Sequence, residues 1–226
     1  ESEGGMYSKW EDKSFRMGMI SFIASEVAFF AAFFGALFFI RIIALPELAS
    51  IDPEFTMYKG FTGEWPSAGP GGVVLGKTYE AAKFTPMGAW GLPAINTFLL
   101  LTSGVTVTWA HWGLLKNNRK QLIIGLFLTV LLGIAFLICQ AMEYHHAYTE
   151  MGLTLGAGAY GATFFMLTGF HGFHVMLGTL MLIVILLRSM KGHFTAANHF
   201  GFEGVAWYWH FVDVVWLGLF VFVYWL

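Results

Sequence analysis

Five apolar segments constrain what this chain can fold into. They cover about residues 15–45, 90–115, 121–148, 159–187 and 197–226. Each is longer than the roughly 20 helical residues that cross the hydrocarbon core of a bilayer. A spanning segment must satisfy its backbone hydrogen bonds internally, which favours helices. The sequence therefore predicts an all-α integral membrane protein, with a bundle of five transmembrane helices forming a single membrane domain over residues 1–226.

The composition excludes several other classes of protein. Hydrophobic residues make up 57% of the 226 residues and charged residues only 12%. A net charge of −2, without runs of like charge, provides no basic surface for nucleic acid. The single cysteine, Cys139, excludes an internal disulfide, a four-cysteine metal site and a two-cysteine copper centre. Any redox metal would therefore need histidine ligands.

Residues 46–86, between the first two segments, form a long loop that holds five of the six prolines. Loops of this length are uncommon without a function or structure of their own, so we expect ordered structure or a docking role. Basic residues, which concentrate on the inner side of membranes, predict the orientation. Eight of them flank the segments on one side: Lys9, Lys13, Arg16, Lys116, Arg119, Lys120, Arg188 and Lys191. The N-terminus is predicted inside, with the C-terminus and the 46–86 loop outside.

The last segment carries four ionisable residues on one narrow helical face: His199, Glu203, His210 and Asp213. Charged groups at membrane depth normally face the bundle interior and pair with one another. The sequence therefore predicts a buried polar seam, whose commonest role is structural. Trp209 and Trp216 fall on the other side, where we expect them to face lipid or a neighbouring helix.

Glu26 is the acid in the middle of the first segment, roughly 15 Å beyond Arg16 at 1.5 Å per residue. Its helical neighbours are four phenylalanines, Phe22, Phe29, Phe30 and Phe33. This apolar collar favours the neutral acid. Two interpretations remain open, proton uptake or a single interhelical hydrogen bond. On the same segment, small residues at Ala28, Ala31, Ala32 and Gly35 predict close approach of another helix.

His171 and His174 lie three residues apart in "TGFHGFH". They could belong to a metal or haem site, or they could be structural histidines that form hydrogen bonds between helices. A histidine pair without a carboxylate in the same motif is weak support for zinc, so the structural interpretation is favoured.

The stretch "HFGFEGVAWYWHFVDVVW", residues 199–216, resembles the signature of cytochrome c oxidase subunit III in the haem-copper terminal oxidases. Four other stretches resemble the third to sixth helices of that family: "FRMGMISFIASEVAFF", "LLLTSGVTVTWAH", "QAMEYHHA" and "YGATFFMLTGFHGFHVMLGT". The resemblance covers helices three to seven of the family's usual seven. Either the chain is part of a longer polypeptide, or it is a natural five-helix form, as in related quinol oxidases.

The resemblance implies an accessory subunit without an active site of its own, in a complex that passes electrons from cytochrome c to O2 and pumps protons. In this family haem and copper reside in subunits I and II, so it implies no cofactor and no metal-binding residue in this chain. It implies contact with subunit I, the main partner, and with subunit II, and leaves open a respiratory supercomplex. The expected location is a bacterial inner (plasma) membrane or a mitochondrial inner membrane.

The resemblance also assigns site residues. The family's buried carboxylate in its third helix, known for reacting with carbodiimides, corresponds to Glu26. The family's contacts with lipid phosphate imply such roles for His174 and Arg188, and Phe22 would line the acyl chains. We therefore expect bound phospholipid, stabilisation of subunit I and assistance in proton uptake.

Two alternatives remain. One is subunit III of a quinol oxidase, because subunit II determines the electron donor. The other is a stand-alone membrane enzyme, a dihaem cytochrome b or an intramembrane zinc protease, that uses His171, His174 and His210. The spacing of these residues is poor for metal ligands, which disfavours the second alternative.

Overall fold

The computed structural model describes residues 6, 8–51, 54, 58, 61–74 and 77–225. Its α-helices are α1 (Lys9–Phe38), α2 (Leu45–Ile51), α3 (Leu92–Leu115), α4 (Arg119–Thr149), α5 (Gly158–Met190) and α6 (Phe200–Leu219). Among the described residues, five helical stretches are long and apolar enough to cross a membrane. The predicted fold class, an all-α membrane protein with five spans, is confirmed.

The first span is longer than the sequence predicts. Helix continues through Trp10–Ile51, 42 residues in all, because a π-helical segment, Phe39–Ala44, connects α1 to α2. Pro46, in the first turn of α2, cannot donate a backbone hydrogen bond. Local π-helical geometry is one way in which a membrane helix accommodates a proline. The helix therefore includes residues 46–51, which the sequence analysis assigns to the loop. A second π-helical segment, Phe220–Trp225, extends α6.

The loop between the first two spans contains a small hairpin as well as α2. Strands β1 (Gly72–Val74) and β2 (Lys77–Tyr79) pair antiparallel, with Val73 opposite Thr78. The loop therefore has secondary structure of its own.

The chain divides into two compact units. The first consists of Glu1–Val27, Gly88–Met142 and His171–Leu226, and the second of Ala28–Met87 and Glu143–Phe170. In the second unit, the Tyr160 ring stacks against Phe84 at 5.2 Å, and its hydroxyl accepts a hydrogen bond from the Met87 backbone N–H at 3.2 Å. These contacts attach the loop to the start of α5 within that unit.

Two tryptophans of α6 are among the largest fully buried side chains of the first unit. Trp209 is fully buried, and its indole N–H donates to Ser103 Oγ of α3 at 2.9 Å. Trp216 is also buried and donates to Thr97 Oγ1 of α3 at 2.9 Å. The tryptophans therefore face neighbouring helices rather than lipid.

Two glycines leave space for the indole ring of Trp209. A Cβ on Gly178 of α5 would lie 2.7 Å from the Trp209 ring, and one on Gly133 of α4 would lie 3.0 Å from it. Because L residues at both positions would collide with the indole, these glycines let α4 and α5 close around α6.

Candidate functional site

Glu26 of α1 and His174 of α5 form a hydrogen-bonded pair. Glu26 Oε2 lies 2.9 Å from His174 Nε2, and the two side chains are 22% and 9% exposed. An acid in the middle of a membrane-spanning helix is costly unless it has such a partner. The pair gives Glu26 an interhelical hydrogen bond and places an acid and an imidazole in direct contact.

Tyr208 of α6 covers one side of this pair. Its ring stacks on His174 at 6.3 Å and on Phe22 of α1 at 6.2 Å. Its hydroxyl donates to the His174 backbone carbonyl at 3.4 Å. Phe22 is exposed at the outer end of this stack. The pair is thus held by side chains from three helices, α1, α5 and α6.

Two residues of the predicted seam lie at the start of α6. Glu203 Oε2 lies 2.9 Å from Arg16 Nη2 and accepts a hydrogen bond from Arg16 Nε at 3.0 Å. Arg16 also pairs with Asp12 of its own helix. The His199 ring contacts the His111 ring of α3 at 5.4 Å. This end of α6 therefore forms an ion pair with α1 and a ring contact with α3.

The other two seam residues lie deeper. The Thr108 hydroxyl donates a hydrogen bond to the Gly104 carbonyl at 2.9 Å. Its oxygen therefore accepts a hydrogen bond from the His210 imidazole, whose Nε2 lies 3.1 Å away. His210 Nδ1 is 3.6 Å from Asp213 Oδ2. Asp213 is buried, whereas His199, Glu203 and His210 are partly exposed in this chain. Two of the four seam residues therefore hydrogen-bond to other helices, Glu203 to α1 and His210 to α3.

Gly104 permits the close approach of Asp213 to α3. A Cβ at position 104 would lie 2.3 Å from Asp213 Oδ2, far closer than a carbon and an oxygen that are not bonded can approach. The other carboxylate oxygen, Oδ1, is buried and has no hydrogen-bond partner among the described residues. Buried polar atoms without partners are rare in native proteins.

His171 has a different environment from His174. It is fully buried, its Nε2 donates to the Val212 carbonyl of α6 at 3.2 Å, and its ring contacts Phe136 and Trp216. His171, His174 and His210 therefore have separate partners. Within the described part of the chain, no group of three or more His, Cys, Asp or Glu side chains could hold a metal ion.

Arg188 lies in the last turn of α5, partly exposed, with its guanidinium 5.0 Å from the Phe194 ring centroid. It is fourteen residues beyond His174 on the same helix, about 21 Å at 1.5 Å per residue. A single phosphate headgroup at the end of α5 therefore cannot contact both residues.

Sequence reasoning missed several partners in this network. Arg16 indicates orientation and the depth of Glu26 but not its own partner, and Thr108 and Tyr208 carry no signal in their own segments. A helical wheel indicates which residues of one helix share a face, but it does not indicate which helix lies opposite. Only the packing of α1, α3 and α5 around α6 identifies these three residues.

The fold and this network define a class, an integral membrane bundle whose acids and imidazoles bond across helices. A sequence model of the family described as "Cytochrome c oxidase subunit III" matches residues 54–226. The chain belongs to the cytochrome c oxidase subunit III family, which confirms the resemblance.

Curated relatives agree with this assignment. The "Cytochrome c oxidase subunit 3" of Dugong dugon is 45% identical over 221 residues, which are 98% of this chain and 73% of the relative. That of Latimeria chalumnae is 47% identical over 213 residues, 94% of this chain and 70% of the relative. That of Hippopotamus amphibius is 44% identical over 221 residues, 98% of this chain and 73% of the relative. These names favour cytochrome c oxidase over the quinol oxidase alternative.

Proposed function

We propose that this chain is an accessory, non-catalytic subunit of cytochrome c oxidase that stabilises subunit I, holds phospholipid and assists proton uptake. Haem and copper would reside in subunits I and II, which carry electrons from cytochrome c to O2. The intramembrane acids support this proposal. Glu26, Glu203 and Asp213 each lie beside a basic side chain, His174, Arg16 and His210 respectively. Such pairing is typical of buried polar groups that hold a bundle together.

The Glu26–His174 pair is the observation that carries the proton-uptake proposal. A carboxyl group and an imidazole that share a 2.9 Å hydrogen bond can exchange one proton with little movement. The Glu26 side chain is 22% exposed in this chain, and we propose that this exposed part contacts subunit I. The pair would act as a local proton reservoir beside subunit I.

We expect Glu26→Gln in the assembled oxidase to slow proton uptake several-fold and to shorten the lifetime before turnover inactivation. Glutamine keeps the size of the side chain and can still form a hydrogen bond with His174, but it cannot release a proton. Stopped-flow measurement of proton uptake and the decay of O2 consumption would check both effects.

The control for this experiment is Glu47→Gln, which changes an exposed acid of α2. It should leave both rates unchanged. If Glu26→Gln left proton uptake, turnover and inactivation lifetime at wild-type values, the proposed role of the pair would be wrong.

Phospholipid would bind to exposed side chains of the first unit. Phe22 presents an exposed ring at membrane depth, and Arg188 presents a guanidinium at the end of α5. Basic side chains between helices at the inner surface bind anionic headgroups. We propose that Arg188 holds a lipid phosphate and Phe22 contacts acyl chains. The role of His174 would be to orient Glu26 beside the lipid rather than to bind its phosphate.

Arg188→Ala should remove one tightly bound anionic phospholipid per complex, since the arginine supplies the charge that pairs with phosphate. Native mass spectrometry of the purified oxidase counts the bound lipids. Lys116→Ala, at an exposed basic residue on the same predicted side, is the matched control and should retain the full number. An unchanged lipid count in Arg188→Ala would contradict the assignment.

The proposed orientation follows from the basic residues, with the N-terminus inside and the C-terminus outside. The membrane would be a bacterial inner (plasma) membrane or a mitochondrial inner membrane. Both are membranes across which such an oxidase pumps protons.

A further inference from the structure

Tyr208 of α6 is a buried tyrosine that contacts the Glu26–His174 pair through its ring. The proton of its hydroxyl is donated to the backbone carbonyl of His174, so the hydroxyl leaves the hydrogen bond of the pair undisturbed. The ring stacks on rings from two other helices. Phe22 of α1 lies at 6.2 Å and His174 of α5 at 6.3 Å, with interplanar angles of 20° and 21°. Tyr208 therefore connects α1 and α5 at the pair.

The stack with Phe22 determines where α1 places Glu26. Phe22 and Glu26 are four residues apart in α1, so both side chains project from the same face of that helix, one turn apart. Sliding or rotating α1 would therefore break the stack of Phe22 on Tyr208 and the hydrogen bond of Glu26 together. One aromatic contact and one polar contact, a turn apart, set the position of the carboxyl group along the bundle.

The His174 ring is held from the α6 side by a second aromatic residue. Phe211, three residues beyond Tyr208, packs edge-on against the imidazole at 6.4 Å and contacts the Tyr208 ring at 6.1 Å. Aromatic rings prefer centroid separations of roughly 4.5–7 Å in such arrangements. Because Tyr208 and Phe211 are both buried, the imidazole has little freedom to turn away from Glu26.

This support matters because the carboxyl group is not fully enclosed. The Glu26 side chain is 22% exposed in this chain, and a long side chain loses conformational freedom when it is held in one rotamer. Proton exchange requires the carboxyl oxygen and the imidazole nitrogen to remain within hydrogen-bonding distance. An imidazole and a helix that are already fixed in place reduce the freedom that the hydrogen bond alone must restrict.

We propose that Tyr208 is a positioning residue for the Glu26–His174 pair. Its ring holds the imidazole directly and holds α1 through Phe22, so that the carboxyl group and the imidazole stay in contact. The proposal rests on the proposed function, because it concerns the pair to which proton uptake is assigned there. It adds a residue from a third helix on whose ring the hydrogen bond depends.

Infrared spectroscopy of the assembled oxidase tests this role. When glutamate is labelled with carbon-13 at the side-chain carboxyl carbon, the band that Glu26→Gln removes is the band of Glu26. Its frequency reports the hydrogen bond, because a carboxyl group, neutral or ionised, changes its stretching frequency when a hydrogen bond is lost. We expect Tyr208→Leu, which removes the ring, to shift the Glu26 band and to slow proton uptake several-fold. Tyr208→Phe keeps the ring and should change both by less.

Tyr224→Leu is the matched control. Tyr224 is also buried, lies sixteen residues further along the same helical span, and contacts the Trp216 ring at 5.8 Å. Its substitution removes a buried tyrosine ring, as Tyr208→Leu does, but should leave the Glu26 band at its wild-type frequency. If Tyr224→Leu shifted the band as much as Tyr208→Leu, the effect would be a general loss of packing and the proposal would be wrong.

Phe22→Leu tests the same stack from the α1 side. Phe22 is 46% exposed, so this substitution leaves the buried core intact even if Tyr208→Leu prevents assembly. We expect Phe22→Leu to shift the Glu26 band in the same direction as Tyr208→Leu, by a smaller amount. A Glu26 band at its wild-type frequency in either variant would overturn the proposal.

The two proposals fail in different ways. If Glu26→Gln slows proton uptake but Tyr208→Leu leaves the Glu26 band in place, the positioning role is wrong and the proposed function stands. If Tyr208→Leu shifts the band but Glu26→Gln leaves proton uptake, turnover and inactivation lifetime unchanged, the proposed role of the pair is wrong and Tyr208 still positions it.

Discussion

Trp209→Ala is expected to lower the free energy of unfolding by about 3–5 kcal/mol. The indole is fully buried, sits between Gly133 and Gly178, and donates a 2.9 Å hydrogen bond to Ser103. Alanine would leave a cavity that the close-packed helices cannot fill. Within a membrane the lost packing is the main cost, because van der Waals contact rather than burial from water holds helices together.

Thermal unfolding in detergent, followed by circular dichroism at the helix band, would measure this loss. Trp209→Phe keeps most of the ring volume and should cost clearly less than alanine. Trp10→Ala removes an exposed tryptophan and should have little effect on the unfolding midpoint. If the alanine variants at positions 10 and 209 shifted the midpoint equally, Trp209 would not be the packing centre of the first unit.

Gly104→Ala is the second substitution with a large expected effect, about 1–3 kcal/mol of lost stability. The new methyl group would lie 2.3 Å from Asp213 Oδ2 and 3.5 Å from His210 Nδ1. The Asp213 carboxylate must turn away from the new methyl group or α3 and α6 must separate, and either change disturbs the packing between these helices. The same detergent unfolding measurement would detect this loss.

Gly35→Ala in α1 is the matched control, since no described atom lies within 4 Å of a Cβ built there. Alanine in place of glycine within a helix usually stabilises by about 0.5–1 kcal/mol, so this control should be neutral or slightly stabilising. If Gly104→Ala proved as stable as Gly35→Ala, the contact between Gly104 and the Asp213 carboxylate would be wrong.

These two glycines show what the sequence could predict about packing and what it could not. The small-residue stripe that ends at Gly35 predicts a close helix contact, yet nothing described approaches Gly35. Gly104, Gly133 and Gly178 make the close contacts instead. Small residues permit close approach, but the shape and position of the opposing helix determine where it happens. That information lies in residues far away along the chain.

The spans were predictable because hydrophobicity over about 20 residues is a local property. The partner of Glu26 was not, because His174 is 148 residues away in the sequence. Likewise, the helical wheel of α6 places its four ionisable residues on one face. It could not indicate that Glu203 faces Arg16 while His210 faces Thr108.

The measurement that tests the central claim most directly is an absorption spectrum and a metal analysis of the purified chain, separated from its partners. In the proposed arrangement, Glu26, His174, His210 and the other intramembrane polar residues bond to one another, to neighbouring helices and to lipid. We therefore expect no Soret band, and haem, copper and zinc all far below one equivalent per chain. One equivalent of haem or metal, retained after separation and lost on substitution of His171, His174 or His210, would contradict it.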